Sequence, residues 1–313
     1  MYKKNFTFFF IPFVISFFAI LAYIPISFDI LQYLALFKRY ENYINFDEAL
    51  LNERFEPAFL MLTWYINKFL SPTNVIYLVA SCSFYIKIYL FIKKYKYKQA
   101  LVVSIFYFIL FALTIDLNIF REAIATIFII YILLFDVKKI KIIFFTLLSV
   151  LFHKSGLFCL LGLIKGSNNK NYSIITMLIL ISLLICAAIP SQNIASYFKL
   201  SPDSKIFLGG NYLIRLLLIS TLIKNWSTFN SNEKFGVFLL TLGSLIFLFP
   251  LNNYDLKYRL YQLTFLGIIP TIASQIKKNT HYQIYLSILA IANIVDFINR
   301  FWICFHQICN IEV

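Results

Sequence analysis

Charge is scarce in this sequence: Asp, Glu, Lys and Arg together make up 13% of the residues, against 61% hydrophobic. So little charge excludes an ordinary water-soluble domain, in which about a quarter of residues are charged. Acidic side chains are the scarcer sign, 14 against 28 Lys and Arg. The five cysteines, Cys82, Cys159, Cys186, Cys304 and Cys309, lack the spacing of a metal site, because the CxxxxC of the last two has no second pair. They read as small apolar fillers. There is no GxxxxGK(S/T), no GxGxxG after a strand and no HExxH, so a nucleotide-driven pump and a zinc protease have nothing to rest on. Internal repeats of the transporter kind are not visible.

What is present is apolar length. Mean hydropathy is +0.79, and runs of about 20 apolar residues, the length that crosses hydrocarbon, recur along the chain. Backbone groups in lipid must pair within their own segment, and the runs show no period-two alternation, so the spans are helices rather than barrel strands. The expected class is all-α, a polytopic integral membrane helix bundle. Residues 1–313 read as a single transmembrane domain with no separate soluble domain, and residues 28–55 as an external loop carrying acidic side chains.

Spans are expected at 6–26, 74–92, 99–115, 117–135, 172–189, 212–223, 235–251, 260–276 and 283–302. Lys3 and Lys4 hold the N-terminus in the cytoplasm, and the run after them is longer than a signal-peptide core and lacks a small-residue cleavage site, so a retained anchor is expected. The basic connections KKYKYK (93–98), DVKKIK (136–141) and KKN (277–279) belong on the cytoplasmic side. That distribution accounts for the net charge of +14 without nucleic acid. For those loops to share one side, 56–70 and 142–164 must each enter and leave by the same face, as re-entrant or half-length segments. About nine full crossings then remain.

An ionisable side chain at bilayer depth costs a few kcal/mol or more and marks function by default. Arg121 and His153 stand inside otherwise apolar segments, the latter in a break, His153-Lys154-Ser155-Gly156. With the loops assigned as above, Asp29, Glu56, Arg121, His153, Arg215 and Arg259 all fall at or near the outer face. The plainer alternatives are arginines that snorkel to headgroups and a histidine hydrogen-bonded to a neighbouring helix.

The ordered set of motifs resembles a family. It comprises Asp29 and Tyr33 in D-x-x-x-Y, Glu56-Pro57-Ala58-Phe59, Phe120-Arg121-Glu122-Ala123-Ile124-Ala125, Phe152-His153-Lys154-Ser155-Gly156-Leu157 and Tyr258-Arg259-Leu260-Tyr261. Together with the hydropathy profile these resemble the EpsG-like branch of the Wzy polysaccharide polymerases, which join lipid-linked repeat units of O-antigen, capsule or exopolysaccharide at the outer leaflet of the bacterial inner membrane. Two departures stand out: Tyr23-Ile24-Pro25-Ile26 replaces a common glycine and arginine, and Glu122 stands where glutamine is usual.

The resemblance implies a GT-C-like bundle in the bacterial inner membrane and a glycan donor on undecaprenyl diphosphate, whose anomeric carbon is attacked by an acceptor hydroxyl. It also implies a flippase and a chain-length regulator as pathway partners; it does not imply a metal, the chain shows no ligand cluster for one, and no cofactor is expected. A lipid diphosphate leaves already ionised, so its departure is aided by cations, and a guanidinium can bridge two phosphate oxygens. Arg121 and Arg259, helped by Arg215 and Lys154, are the expected diphosphate ligands. His153, Glu56 and Asp29 are the candidates for the base, and Tyr33, Ser155 and Tyr261 are expected to bind substrate. The competing classes are a GT-C glycosyltransferase using a polyprenyl-monophosphate sugar, with Asp47-Glu48 as its acidic pair; a lipid-linked oligosaccharide flippase or transporter; and a membrane acyltransferase.

The side assignment is open to a direct check. A cysteine placed at Lys96 should stay unlabelled by an impermeant thiol reagent in intact cells, while one placed between Asp29 and Glu56 is labelled. Labelling at Lys96 would reverse every side given above.

Overall fold

The computed structural model describes residues 28–116, 119–165, 210–248, 261–276 and 278–309, with positions 14, 15 and 17. Among these every regular element is helical and none is a strand. The expected spans 6–26 (all but those three positions) and 172–189 lie outside the described residues. Two compact units are present. The first comprises Met1–Ile127, Val150–His153 and Ala292–Val313, and the second Phe128–Ser149 and Lys154–Ile291.

In the first unit, α1 (Phe28–Arg39) leads through a 3-10 turn, Tyr40–Asn42, to the short α2 (Phe46–Asn52). Asn45 caps α2 by accepting from the Glu48 backbone N–H at 2.9 Å, and the Glu48 carboxylate accepts from Ile44 N–H at 2.8 Å. Two otherwise unpaired backbone donors are thereby satisfied. Helices α3 (Pro57–Asn67) and α4 (Pro72–Lys94) each begin with proline at their first turn, where its missing N–H costs nothing. With 11 residues α3 extends only about 16 Å, about half the hydrocarbon thickness. By contrast α4, with 23 residues, is long and apolar enough to cross, as is Thr280–Ile298. Against nine expected crossings, these two are the helices of full-span length and apolarity among the described residues.

The expected span 99–115 is not one uniform helix. It starts as α5 (Tyr97–Tyr107) and widens into a π-helical stretch, Phe108–Asp116. The cause lies in Asp116, whose carboxylate is drawn to the ammonium of Lys87 on α4, both side chains being 0% exposed. Tyr107 donates its hydroxyl to the same carboxylate at 2.9 Å, and its ring also lies 5.6 Å from the Lys87 ammonium. Ser83 Oγ stands 3.3 Å from the carboxylate and 2.9 Å from the Ala123 carbonyl, sharing its one proton between them. Wide π turns of this sort free backbone carbonyls, and the Asn293 amide donates to that of Leu110 at 3.3 Å.

The next helix, α6 (Phe120–Leu134), begins later than the expected 117, so Arg121 lies in its first turn rather than one turn inside it. Beyond it, α7 (Lys139–Phe152) breaks at His153 and the chain continues as a 3-10 helix, Lys154–Ile164.

In the second unit the C-terminal carbonyls of α6 are taken up by side chains. Lys165 donates to Ile132 and Phe135 at 2.9 and 2.7 Å, and Asn232 donates to Leu134 at 3.0 Å. Helices α8 (Gly210–Lys224) and α9 (Ser231–Leu248) follow. The expected span 260–276 is interrupted by a 3-10 turn, Leu266–Ile268, ahead of α10 (Ile269–Gln275). Two features impose the interruption. Pro270 cannot donate a backbone hydrogen bond, and Gly267 lies directly on Gly236 of α9, where a Cβ on either would overlap the other's carbonyl oxygen. The last element, α11 (Thr280–Cys309), is capped by Asn279, which accepts from the Tyr282 N–H at 3.1 Å.

Removing one member of a buried ion pair strands the other charge, at a cost of about 3–5 kcal/mol. Lys87→Met should therefore sharply lower the unfolding temperature of the protein in detergent, and Lys87→Met with Asp116→Asn should recover more than half of that loss.

Candidate functional site

Glu56 is the residue from which α3 starts, and its carboxylate does not cap that helix. It turns instead to Arg121, whose Nη1 donates to Glu56 Oε2 at 2.5 Å. Arg121 Nε donates to the Tyr33 hydroxyl at 3.3 Å, and the guanidinium carbon lies 4.6 Å from the centre of the Phe55 ring. An arginine in the first turn of a helix opposes the helix dipole, and a carboxylate beside it offsets that repulsion. The Tyr33 ring is fixed by Phe55, Phe59 and Phe120, with centroids 5.9, 5.6 and 5.0 Å away. Residues 33, 56 and 121, contributed by α1, α3 and α6, thus meet in one hydrogen-bonded group within the first unit.

This group stays partly open, with the Arg121 and Glu56 side chains 19% and 13% exposed. A guanidinium has five N–H donors, and Nε and Nη1 spend one each on Tyr33 and Glu56. Among the described residues the guanidinium makes no further hydrogen bond, so the remaining donors belong to a charge held in one orientation beside a largely apolar wall. There electrostatic attraction is much stronger than in water. Chemically, the arrangement can receive a polyvalent anion.

The second unit holds a different arginine. Arg215 on α8 is buried, 4% exposed, and its guanidinium carbon lies 4.1 Å from the centre of the Tyr261 ring and 3.9 Å from that of Phe265. Tyr212, whose hydroxyl donates to the Ser244 carbonyl at 3.0 Å, packs against Tyr261 with centroids 6.1 Å apart. Tyr261 and Arg215, expected in separate roles, are neighbours.

His153 is half-buried at the break after α7 and falls within the first unit. Lys154 is exposed and Ser155 buried, both in the second unit. Arg259, and with it the expected cavity shared by Arg121, His153 and Arg259, lies outside the described residues, as does the side chain of Asp29. Among the described residues no three His, Cys, Asp or Glu side chains are gathered to hold a metal ion.

The motifs do not include Phe55 and Phe265, the rings beneath the two arginines. Nor do they include the Lys87–Asp116 pair, whose Ser83 link reaches the first turns of α6. A lysine within an apolar run is itself a signal for such a pair; the rings carry none, among 36 phenylalanines.

The sequence model of the EpsG family matches residues 5–310. No curated protein and no solved structure shows a significant match to the chain. A match over almost the whole length, joined to an all-helical apolar fold, makes this chain a member of the EpsG family, membrane proteins of polysaccharide biosynthesis.

Proposed function

We propose that this protein is a polymerase that joins undecaprenyl-diphosphate-linked oligosaccharide repeat units by glycosyl transfer at the outer face of the bacterial inner membrane, with its N-terminus in the cytoplasm. The observation that carries the reading is the Arg121–Glu56–Tyr33 group in a chain of the EpsG family. In the reaction an acceptor hydroxyl forms a bond to the donor's anomeric carbon while the bond from that carbon to the diphosphate oxygen breaks. The electron pair leaves with the lipid diphosphate, and the hydroxyl proton passes to a base.

Arg121 stabilises the charge gathering on the leaving diphosphate, the contribution that commonly dominates such catalysis. Glu56, already engaged by Arg121, serves to aim it, which leaves proton acceptance to His153 or Asp29. Arg259 is assigned to the same diphosphate, with Arg215 and Lys154 as helpers, and Ser155 and Tyr261 to substrate contacts. A flippase supplies the donor and a chain-length regulator acts on the product.

Deleting the gene should abolish polymerised glycan on a gel while single repeat units still reach the cell surface; loss of those units as well would point to transport instead. Arg121→Lys should reduce polymer about a hundredfold or more at near-normal protein level, since an ammonium cannot reproduce a two-point grip on diphosphate. Full polymerisation by Arg121→Lys would reduce Arg121 to a headgroup contact.

A further inference from the structure

A second recess in the first unit is set apart from the Arg121 group. It has a volume of about 240 Å³ and is lined by Tyr40, Tyr43 and Trp64 together with Glu41, Asn67 and Lys68. The aromatic wall is held rigidly. Tyr40 is hydrogen-bonded to Thr63 at 2.8 Å, and its ring meets Trp64 edge-on at 5.2 Å. Tyr43 donates to Glu53 Oε1 at 2.7 Å, while Arg39 grips both oxygens of the same carboxylate at 2.7 and 3.0 Å. Burial pushes the Glu53 carboxyl up, but those hydrogen bonds and the Arg39 charge outweigh it and hold it below the ordinary range, so the frame stays ionised.

The polar groups are placed differently. Asn67 donates its amide to the Phe37 carbonyl at 3.1 Å, which fixes the side chain's orientation. Its Oδ1 is buried and accepts no hydrogen bond among the described residues. A buried acceptor without a donor is costly unless something supplies one. Lys68 holds its ammonium 5.5 Å from the Trp64 ring and 5.4 Å from that of Tyr65, and both Lys68 and Glu41 are exposed. A rigid aromatic wall facing a few convergent hydrogen-bonding groups suits a ligand with one apolar face and a rim of hydroxyls. A pyranose ring has that form: its axial C–H bonds can lie against the half-buried Tyr43 and the small exposed parts of Tyr40 and Trp64, 5% and 6% exposed, while its hydroxyls reach amide and carboxylate oxygens.

The position of the recess adds a direction. Tyr33 of α1 packs on Phe59 of α3, and further along both helices the Phe37 carbonyl meets Asn67, so α1 and α3 run side by side in the same sense. The Arg121 group sits at the start of α3, and Trp64, eight residues after Glu56, is about 12 Å further along it. The gap is that of a few sugar rings.

We propose that this recess is a saccharide-binding subsite that holds the glycan a few sugars away from the reacting end. Glycan held there is retained between additions, so the subsite favours longer products. The inference rests on the polymerase reading for its role in chain growth, but not for the binding itself. The test uses the full-length protein in nanodiscs and oligosaccharides of one to four repeat units released by mild acid from the producing strain's own polysaccharide.

The wild type should bind these lipid-free oligosaccharides saturably. Trp64→Leu should weaken binding by about tenfold or more, as for a buried aromatic anchor. Glu41→Ala combined with Lys68→Ala changes only exposed side chains, so the fold is kept, and should weaken binding by about threefold or more. Both variants should shift polymer from lipid-linked substrate toward shorter chains. Absence of binding by the wild type, or unchanged binding and length in the Glu41/Lys68 variant, would overturn the subsite. Saturable binding that these variants weaken, by a wild type that forms no polymer, would leave the subsite standing and remove the polymerase reading.

Discussion

Hydrocarbon has no water with which to satisfy a polar group, and most of what is particular about this fold answers that constraint. Where helices are regular, the backbone meets the demand by itself. Where they are not, a side chain does so: Asn293 for the π-helical stretch, and Lys165 and Asn232 for the end of α6. Lys87 and Asp116, both completely buried, satisfy one another, with Tyr107 and Ser83 adding hydrogen bonds to the carboxylate. Such a network stabilises little compared with an apolar core of equal volume, but once assembled it admits few alternative packings. Its link to the Ala123 carbonyl fixes the start of α6 and hence the position from which Arg121 reaches out.

Arg121 differs from those structural charges in being only partly spent. Its counter-ion is a carboxylate at the head of another helix, it also donates to a phenol, and its side chain stays 19% exposed. Arg215 illustrates the contrast, since it is buried with its guanidinium carbon over the rings of Tyr261 and Phe265. Both geometries suit a guanidinium better than an ammonium, because each uses its planar, delocalised form.

The helical class and the location of long apolar runs were legible in the sequence because composition and periodicity are local properties. So was the interruption at His153, since charged and small residues there break an apolar run. The motif residues Tyr33, Glu56 and Arg121 were legible as separate points, but their meeting was not, being contacts across 65 and 88 positions of sequence. The departures share one cause. The pitch change at Phe108 depends on Lys87, and the turn at Leu266 depends partly on Gly236, each on a different helix. No window along the chain contains both partners. Phe55 and Phe265 escaped for a related reason: in a chain with 36 phenylalanines, only an arginine placed above a ring distinguishes it.

Lys87 and Asp116 lie 29 residues apart, and that separation has a consequence for synthesis. At about 5–20 residues per second, roughly 1.5–6 s pass between the making of the lysine and of its partner. During that interval a lysine four residues from the midpoint of a lone 23-residue helix would cost up to about 3 kcal/mol in lipid, and Tyr107 is not yet made either. Lys87 therefore makes the entry of α4 into the bilayer by itself less favourable. The two-residue link at 95–96 joins it to α5, and the pair can move into lipid as a hairpin once Asp116 has emerged to neutralise the charge. The same contact that joins α4 to the end of the π-helical stretch in the folded protein thus also favours the entry of the two as a pair.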